Sequence, residues 1–469
     1  MDLIFKNHLK PKIAVLGDIM IDINIMGNVD KLANESPIPV LLYTNKKSIL
    51  GGCGNVVNNL KSIGCDELYV LTVIGNDDNG AIIKNLLSNI NVKNNPIIDI
   101  DRRSTSKNRF FSNQCLMFRY DIEDTNIINK LIQDILYEEF IRITEIGLDC
   151  IIFSDYNKGV CCNDLCIKII NKCNELGIKT VVDPKNNFYK YQNVTLIKPN
   201  RNEASYFLKK KILMSTIEYD LKYIKEQLNT KYSVITLADK GIYFYDGIKY
   251  FSSKTDKIDV IDVTGAGDIV CSLLAYLICI SNDFQLICKI TNFLATLSVH
   301  HIGTYVLQEC DFAEFYFKNN IQNKIIDFYQ LSIISKISKK IIFTNGCFDL
   351  IHLGHINCLK YCKSLGDILV VAINSDISVK KLKGEKRPIQ NQEKRSSIIS
   401  SFEYVDYVLI FDEDTPLNII KELRPSIIVK GGDYKKEDVI GKEYADDVVI
   451  FKLLEDISTT NTIKKINDN

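Results

Sequence analysis

The stretch Asp262-Val-Thr-Gly-Ala-Gly-Asp268 decides how most of this chain is read. It follows a strand-like run, 257–261, and opens an apolar stretch, 269–280, long enough for about three helical turns. Thr264, Gly265, Ala266 and Gly267 are small, so the backbone can approach a ligand closely there. Free amides at a helix N-terminus form a ready anion site. A carboxylate at that end opposes an anion unless its task is to take a proton. Asp268 therefore stands where a base for a phosphate-accepting hydroxyl is needed. A Gly-rich turn with Asp268 serving only the helix dipole is the plain alternative.

The chain has 469 residues, which implies two or more domains. Apolar content of 46% and charged content of 25% are those of a globular protein. Net charge is zero and no basic face stands out, so a nucleic-acid partner has no electrostatic support. The first residues lack the layout of a signal peptide, and the most apolar run is too short to span a bilayer. A cytoplasmic protein without membrane attachment is expected. None of the 15 cysteines forms a CxxC pair, so reduced core residues are expected rather than disulfides or zinc ligands.

Residues 12–17 read as a buried strand ending in Gly17-Asp18. That puts a carboxylate at the carboxyl edge of a sheet, where open α/β folds bind ligands. Segments 37–43 and 109–120 are β-prone and fall outside the α/β rhythm, as a small lid would. Gly51-Gly52-Cys53-Gly54-Asn55 opens a helix over 56–63. Strands predicted at 68–74, 150–154, 180–183, 195–198 and 232–237 alternate with helical patterns such as 163–176. This alternation argues for a mainly parallel sheet covered on both faces. Asp155 with Lys158, Asp183 with Lys185, and Asn200 with Glu203 follow strand ends.

Gly51-Gly52 with Asn55, Asn200-Arg201-Asn202-Glu203 and the Asp262–Asp268 segment, in this order, resemble the ribokinase (PfkB) sugar-kinase family over about residues 10–315. The resemblance implies an αβα sandwich with a small β lid that commonly also makes a dimer contact. It makes Asp268 the catalytic base. Thr264 and the Gly265-Ala266-Gly267 amides would hold the transferred phosphate, and Asn200–Glu203 would lie near magnesium and ATP. Asp18, Gly51, Gly52 and Asn55 would contact the sugar. The strings Gly17-Asp-Ile-Met-Ile-Asp22, Ser36-Pro-Ile-Pro-Val40, Ser154-Asp-Tyr-Asn-Lys-Gly159 and Asp183-Pro-Lys185 resemble the heptose 7-phosphate kinase branch. An acceptor that already carries a phosphate calls for cations at the sugar end, and Lys107, Arg109, Arg119 and Lys158 are the candidates. Cys53-Gly54 and Leu237 depart from the family pattern.

The αβ rhythm ends near residue 315. A polar linker is expected over 316–338, with one short helix at 325–337, and a second domain over 339–469. That domain opens with a strand at 340–344, then Asn345-Gly346-Cys347-Phe348-Asp349, then His352-Leu-Gly-His355 at the head of a helix over 356–364. Two of the chain's five histidines lie here. Two imidazoles beside free amides suit the charge that builds on an attacked α-phosphate. A zinc site would want a third ligand of comparable placement. Strands are expected at 368–374, 404–411 and 427–430. A basic loop at 380–388 holds Lys383 and Arg387 and could close on a triphosphate, with Arg395 on the next helix. Asp433 follows Gly431-Gly432, and Ser458-Thr459-Thr460 opens a last helix at 461–466 as a further phosphate cradle.

These elements resemble the cytidylyltransferase-like nucleotidyltransferases over about residues 340–466. The implied fold is a Rossmann-like nucleotidyltransferase domain after the ribokinase-like α/β domain. The two histidines would stabilise direct attack on the α-phosphate. Ile457 stands where Arg or Cys is often found. A sugar kinase fused ahead of such a domain resembles the bifunctional enzymes of ADP-heptose synthesis. The implied reactions are ATP-dependent phosphorylation of D-glycero-β-D-manno-heptose 7-phosphate at the anomeric hydroxyl, and adenylyl transfer to heptose 1-phosphate for the lipopolysaccharide core. The kinase product holds two phosphates and the transferase substrate one, so a separate heptose bisphosphate phosphatase is expected between the steps. The rival reading pairs another sugar kinase with a CTP-dependent polyol- or choline-phosphate cytidylyltransferase.

Overall fold

The computed structural model of the chain describes residues 10–113, 115–255, 260–301, 303–320, 323–432 and 434–452. Asp433, Ile457, Ser458, Thr459, Thr460 and the helix expected at 461–466 lie outside the described residues. By its internal contacts the chain forms two units, Met1–Gln308 and Glu309–Asn469.

The first unit is built on an eight-stranded sheet in the order Tyr250–Ser253, Ile242–Tyr245, Tyr232–Thr236, Leu196–Ile197, Lys179–Asp183, Cys150–Ser154, Ile13–Gly17, Leu68–Leu71. Six strands run parallel, and the first two of this order join antiparallel as a hairpin. Ile13–Gly17 and Cys150–Ser154 are buried at every position. Helices cover both faces there, so these strands read as continuous apolar runs rather than as alternation. The strand predicted at 68–74 breaks at Thr72, whose hydroxyl donates to the Gly17 carbonyl at 2.7 Å. Beyond it Val73–Gly75 pairs with Ile97–Asp99 in a separate two-stranded sheet. No strand forms at Val260 and Ile261, the described part of the run expected at 257–261; the Ile261 amide instead donates to the Val299 carbonyl.

The lid is a four-stranded sheet in the order Pro39–Gly52, Ile19–Leu32, Thr105–Ser112, Cys115–Ile122. Its second strand had no sequence signal. Ile19–Leu32 is buried on both sides over its first six residues and largely exposed beyond, so no single period marks it. It begins directly after Asp18, and Pro39–Gly52 ends at the helix Cys53–Ser62. The lid strands therefore carry the glycines and the acidic residues of the sugar end.

The second unit holds six parallel strands in the order Ile325–Ile326, Tyr407–Phe411, Ile368–Asn374, Ile341–Gly346, Ile427–Gly431, Asp447–Phe451. One core layer includes Phe343, Val370, Leu409 and Ile428, and the other includes Ile342, Val371, Val429 and Leu359. The linker expected over 316–338 is not one. The helix Glu309–Asn320 buries Phe312, Phe315 and Tyr316, and Ile325–Ile326 is the edge strand of the second sheet. In place of a single helix at 325–337 there is this strand and then the helix Phe328–Ile334, capped by Asp327 with Gln330 reaching back. A two-residue strand carries no period, which is why the stretch read as polar connection.

Gly52 has φ 59°, and a Cβ there would lie 2.4 Å from the Asp18 carbonyl oxygen. Gly52→Ala is expected to cost the first unit at least about 1–3 kcal/mol, read as a lowered urea midpoint for that unit with the second unit's transition unmoved.

Two candidate active sites

Asp268 is the third residue of the helix Ala266–Ile280 and is 2% exposed. Asn55 donates from Nδ2 to Oδ2 at 2.8 Å, and the Tyr156 hydroxyl donates to Oδ1 at 2.5 Å. Burial pushes the carboxyl up, the two donors and the Lys198 ammonium pull it back, and Asp22 adds to the rise. The orientation of the Asn55 amide follows from its neighbour one turn on. The Leu307 N–H donates to Asn59 Oδ1 at 3.0 Å, so Asn59 turns its amino group to Asn55 Oδ1 at 3.1 Å. Asn55 is thereby left with its own amino group facing Asp268. Gly265, at φ 81°, caps the helix, and a Cβ there would lie 2.8 Å from Asn55 Nδ2. The Ala266 amide donates to the Val263 carbonyl at 3.3 Å, while the Gly267 and Asp268 amides have no acceptor within the helix and can face an anion.

Asp262 tethers this loop. It accepts from the Thr264 amide at 2.9 Å, the Thr264 hydroxyl at 2.7 Å and the Gly303 amide at 2.8 Å. Burial raises its carboxyl, but these bonds and the nearby Arg109 more than offset that and leave it low. Behind Gly267 lies Lys198, 2% exposed and paired to Asp183 at 2.8 Å. Burial and the carboxylates of Glu203 and Asp268 push Asp183 up, while Asp183 holds Lys198 cationic. Tyr156, Asn59 and Lys198 were not singled out from sequence as site residues. Each lies within or just beside a quoted motif, but only the fold turns it toward Asp268.

The sugar-end candidates separate. Both oxygens of Asp18 accept backbone amides, from Tyr156 at 2.9 Å, Lys158 at 3.0 Å and Val160 at 3.0 Å. Asp18 thus holds the 156–160 loop that carries Tyr156. A Cβ on Gly51 would lie 2.6 Å from Asp22 Oδ2, and Asp22 is paired to Arg109 at 2.7 Å. Arg119 is paired to Asp121, and Lys158 to Glu123. Lys107 makes no ion pair among the described residues; its ammonium lies 5.7 Å from the Tyr156 ring centre, and burial lowers its pKa. Of the four cations, Lys107 is the one without an ion pair among the described residues, although Asp22 and Asp121 act on it from the neighbouring strands.

Asn200 and Glu203 form a capping box on the helix Arg201–Leu208, with Asn202 N–H also donating to Asn200. Glu203 keeps one oxygen for Lys185 at 3.3 Å. Arg201 lies 3.4 Å from the Leu237 carbonyl. The Leu237 side chain itself is in the core, which is why an apolar residue is tolerated at that position. Among the described residues no group of three His, Cys, Asp or Glu side chains could hold a metal unaided. A magnesium ion keeps several waters and binds phosphate oxygens, so the single carboxylate of Glu203 fits it.

In the second unit His352 caps the helix Leu353–Ser364 and His355 lies in its first turn, with ring centres 3.8 Å apart. Neither Nδ1 has a partner among the described residues. A buried lone pair without a partner is cheaper than a buried N–H without one, so the favoured neutral form carries its proton on Nε2, as a donor. Phe348, at φ 47°, packs its ring beside Gly346 and 5.2 Å from His355. Asp349 binds Arg387 at 2.6 Å and accepts the amides of Ile389 and Gln390. It sets the loop that bears Arg387. Lys383 ends the helix Asp376–Lys383, so the basic loop expected at 380–388 is half helical. Arg395 is fully buried and binds the carbonyls of Gln390 and Cys347 and the Asp376 carboxylate. It ties the segments that follow the strands Ile341–Gly346 and Ile368–Asn374 to the loop before its own helix. Asn345 accepts from Lys430, a residue with no sequence signal.

Burial, then His352, then Lys383, lower His355 to about 4. In the unfolded chain it titrates near about 6.5. As pH falls through this window the unfolded state gains a proton that the folded state refuses, so stability is lost between about 6.5 and about 4. Thermal melts of the second unit should show this loss, and His355→Gln should flatten it.

Residues 10–310 match the pfkB family carbohydrate kinases, and residues 343–465 match the cytidylyltransferase-like family. The chain is 40% identical over 466 residues to the bifunctional protein HldE of Campylobacter concisus, covering 97% of this chain and 98% of that one. It is 38% identical over 477 residues to the bifunctional protein HldE of Aliarcobacter butzleri, covering 98% of each. In fold it is similar to phosphofructokinase-2 from Escherichia coli, at TM-score 0.57 and 16% identity over 66% of this chain and 99% of that one. The mainly parallel sheet of the first unit and the parallel sheet of the second agree in fold with the two matched families. The chain belongs to the bifunctional HldE family, a carbohydrate kinase joined to a cytidylyltransferase-like nucleotidyltransferase.

Proposed function

We propose that the first unit moves the γ-phosphate of ATP to the anomeric hydroxyl of D-glycero-β-D-manno-heptose 7-phosphate. The second unit then joins AMP to heptose 1-phosphate, giving ADP-heptose for the lipopolysaccharide core and pyrophosphate. The observation that carries the kinase reading is the buried Asp268 carboxylate in the first turn of a helix whose free amides face the same place. Asp268 takes the proton of the sugar hydroxyl as the oxygen attacks phosphorus. Asn55 and Tyr156 keep it ionised until then. The Gly265 and Gly267 amides receive the charge on the equatorial oxygens. Magnesium bound near Glu203 would neutralise the ATP phosphates. Lys107, the one of the four candidate cations without an ion pair among the described residues, suits the 7-phosphate.

In the second unit the Nε2–H groups of His352 and His355 donate to the α-phosphate as the sugar phosphate attacks it, and Lys383 and Arg387 attract the departing pyrophosphate. ATP is favoured over CTP because near-full-length relatives are HldE proteins. A separate phosphatase must act between the steps. The lid exposes Tyr43, Leu116, Phe118 and Tyr120 on its outer strands, an apolar area that supports a homodimer. No helix among the described residues is long and apolar enough to cross a membrane, which supports a cytoplasmic location.

Mass spectrometry of the products from heptose 7-phosphate and ATP, with and without added phosphatase, tests the scheme; ADP-heptose should form only with it. Asp268→Asn should lower kinase turnover by about a hundredfold or more and spare adenylyl transfer. His352→Ala should do the reverse by a similar factor. Loss of both activities from either change in a folded protein would count against two independent sites. Lys107→Met should raise KM for heptose 7-phosphate by about tenfold and leave KM for ATP near its wild-type value.

A further inference from the structure

Lys430 is a half-buried lysine at the carboxyl end of the strand Ile427–Gly431. It makes no ion pair among the described residues. Its polar partner is the neutral Asn345 Oδ1, and the Tyr434 ring lies 5.8 Å away. An ammonium drawn out of water without a counter-charge is costly, and burial alone lowers its pKa to about 8. Such a group is explained by an anion that arrives with the ligand.

The topology says which anion. The strand Ile341–Gly346 lies between Ile368–Asn374 on one side and Ile427–Gly431 on the other. The chain leaving the middle strand goes to the histidine helix, whose Leu359 packs with Val429, Ile342 and Val371. By strand alternation Lys430 and Asn345 share the opposite face with Ile428 and Phe343. The histidine helix and Lys430 therefore flank the carboxyl edge from opposite faces, at the point where connections diverge and open sheets form their crevice. Lys383 acts on His355 from the Ile368–Asn374 side. In-line displacement puts the attacking and leaving oxygens on opposite sides of the α-phosphorus. With Lys383 and Arg387 on the leaving side, Lys430 is on the attacking side.

We propose that Lys430 receives the attacking phosphate of the acceptor, a sugar 1-phosphate. An acceptor phosphate oxygen forms the new bond to the α-phosphorus, the bond to the bridging oxygen breaks, and pyrophosphate leaves with its electron pair. Lys430 offsets the charge of the incoming phosphate and aims it; it transfers no proton. This assignment rests on the adenylyl-transfer reading above and adds the acceptor's subsite to it.

The test uses the full chain. Lys430→Met should raise KM for heptose 1-phosphate by about tenfold or more, change KM for ATP by less than about twofold, and leave kinase turnover intact. In the wild type, acceptor affinity should fall as pH rises past about 8, and Lys430→Arg should remove that fall. A rise in KM for ATP instead, or no change in either KM, overturns the assignment. Pyrophosphate release by the wild type from heptose 1-phosphate and ATP tests the substrate reading separately. If none is released, calorimetric titration with glucose 1-phosphate decides: weaker binding by Lys430→Met upholds the assignment, and equal or absent binding overturns it.

Discussion

A carboxylate almost wholly removed from water, yet kept ready to ionise, is the constraint on which the first unit depends. Asp268 has two side-chain donors, and each is held by a longer chain of contacts. Asn55 is turned by Asn59, which is turned by the Leu307 amide. Tyr156 stands on a loop whose amides are gathered by Asp18. Desolvation pushes the carboxyl toward neutrality, and these donors with Lys198 oppose it. The balance leaves the carboxyl above its ordinary value, with donors in place for the ionised form.

The same economy recurs in the second unit, where charges near the strand ends hold other charges in place. Asp349 is spent on Arg387 and on two amides of its loop. Arg395 is spent on two carbonyls and Asp376. These groups build the crevice walls. What they leave for a ligand is small: two imidazoles, Lys383, and Lys430, which among the described residues has the Asn345 amide and the Tyr434 ring beside it and no ion pair. A cation drawn out of water without a carboxylate beside it is suited to an anion that a ligand brings.

The lid couples these ideas to substrate choice. Arg109, Arg119 and Lys158 all looked alike in sequence, as cations near a sugar. Each has a carboxylate across the sheet or along the strand, so its field is largely cancelled before a substrate arrives. Lys107 stands opposite Asp22 and Asp121 in register yet makes no ion pair with either, and its ammonium lies beside the Tyr156 ring. Nothing in the order of residues distinguishes these four, because pairing depends on which side chains meet in the folded sheet: Arg109 takes Asp22 on the diagonal although Lys107 is its register partner.

The sequence alone determined the α/β class, the sheet strands with continuous apolar runs, and the helix starts at the glycine-rich turn before Asp268 and at His352. Those properties are local: burial on both faces imposes an unbroken apolar run, and a glycine-rich turn before a helix needs only its own residues. The edges escaped it. Ile325–Ile326 is too short to show a period, Ile19–Leu32 changes its environment midway, and the supposed linker is part of a domain. Tertiary structure alone decided which charges are cancelled and which remain available, turning Asp18 into a loop anchor and bringing out Tyr156, Asn59 and Lys430. The reason is that desolvation and ion pairing depend on through-space neighbours tens or hundreds of residues apart, and no spacing along the chain encodes them.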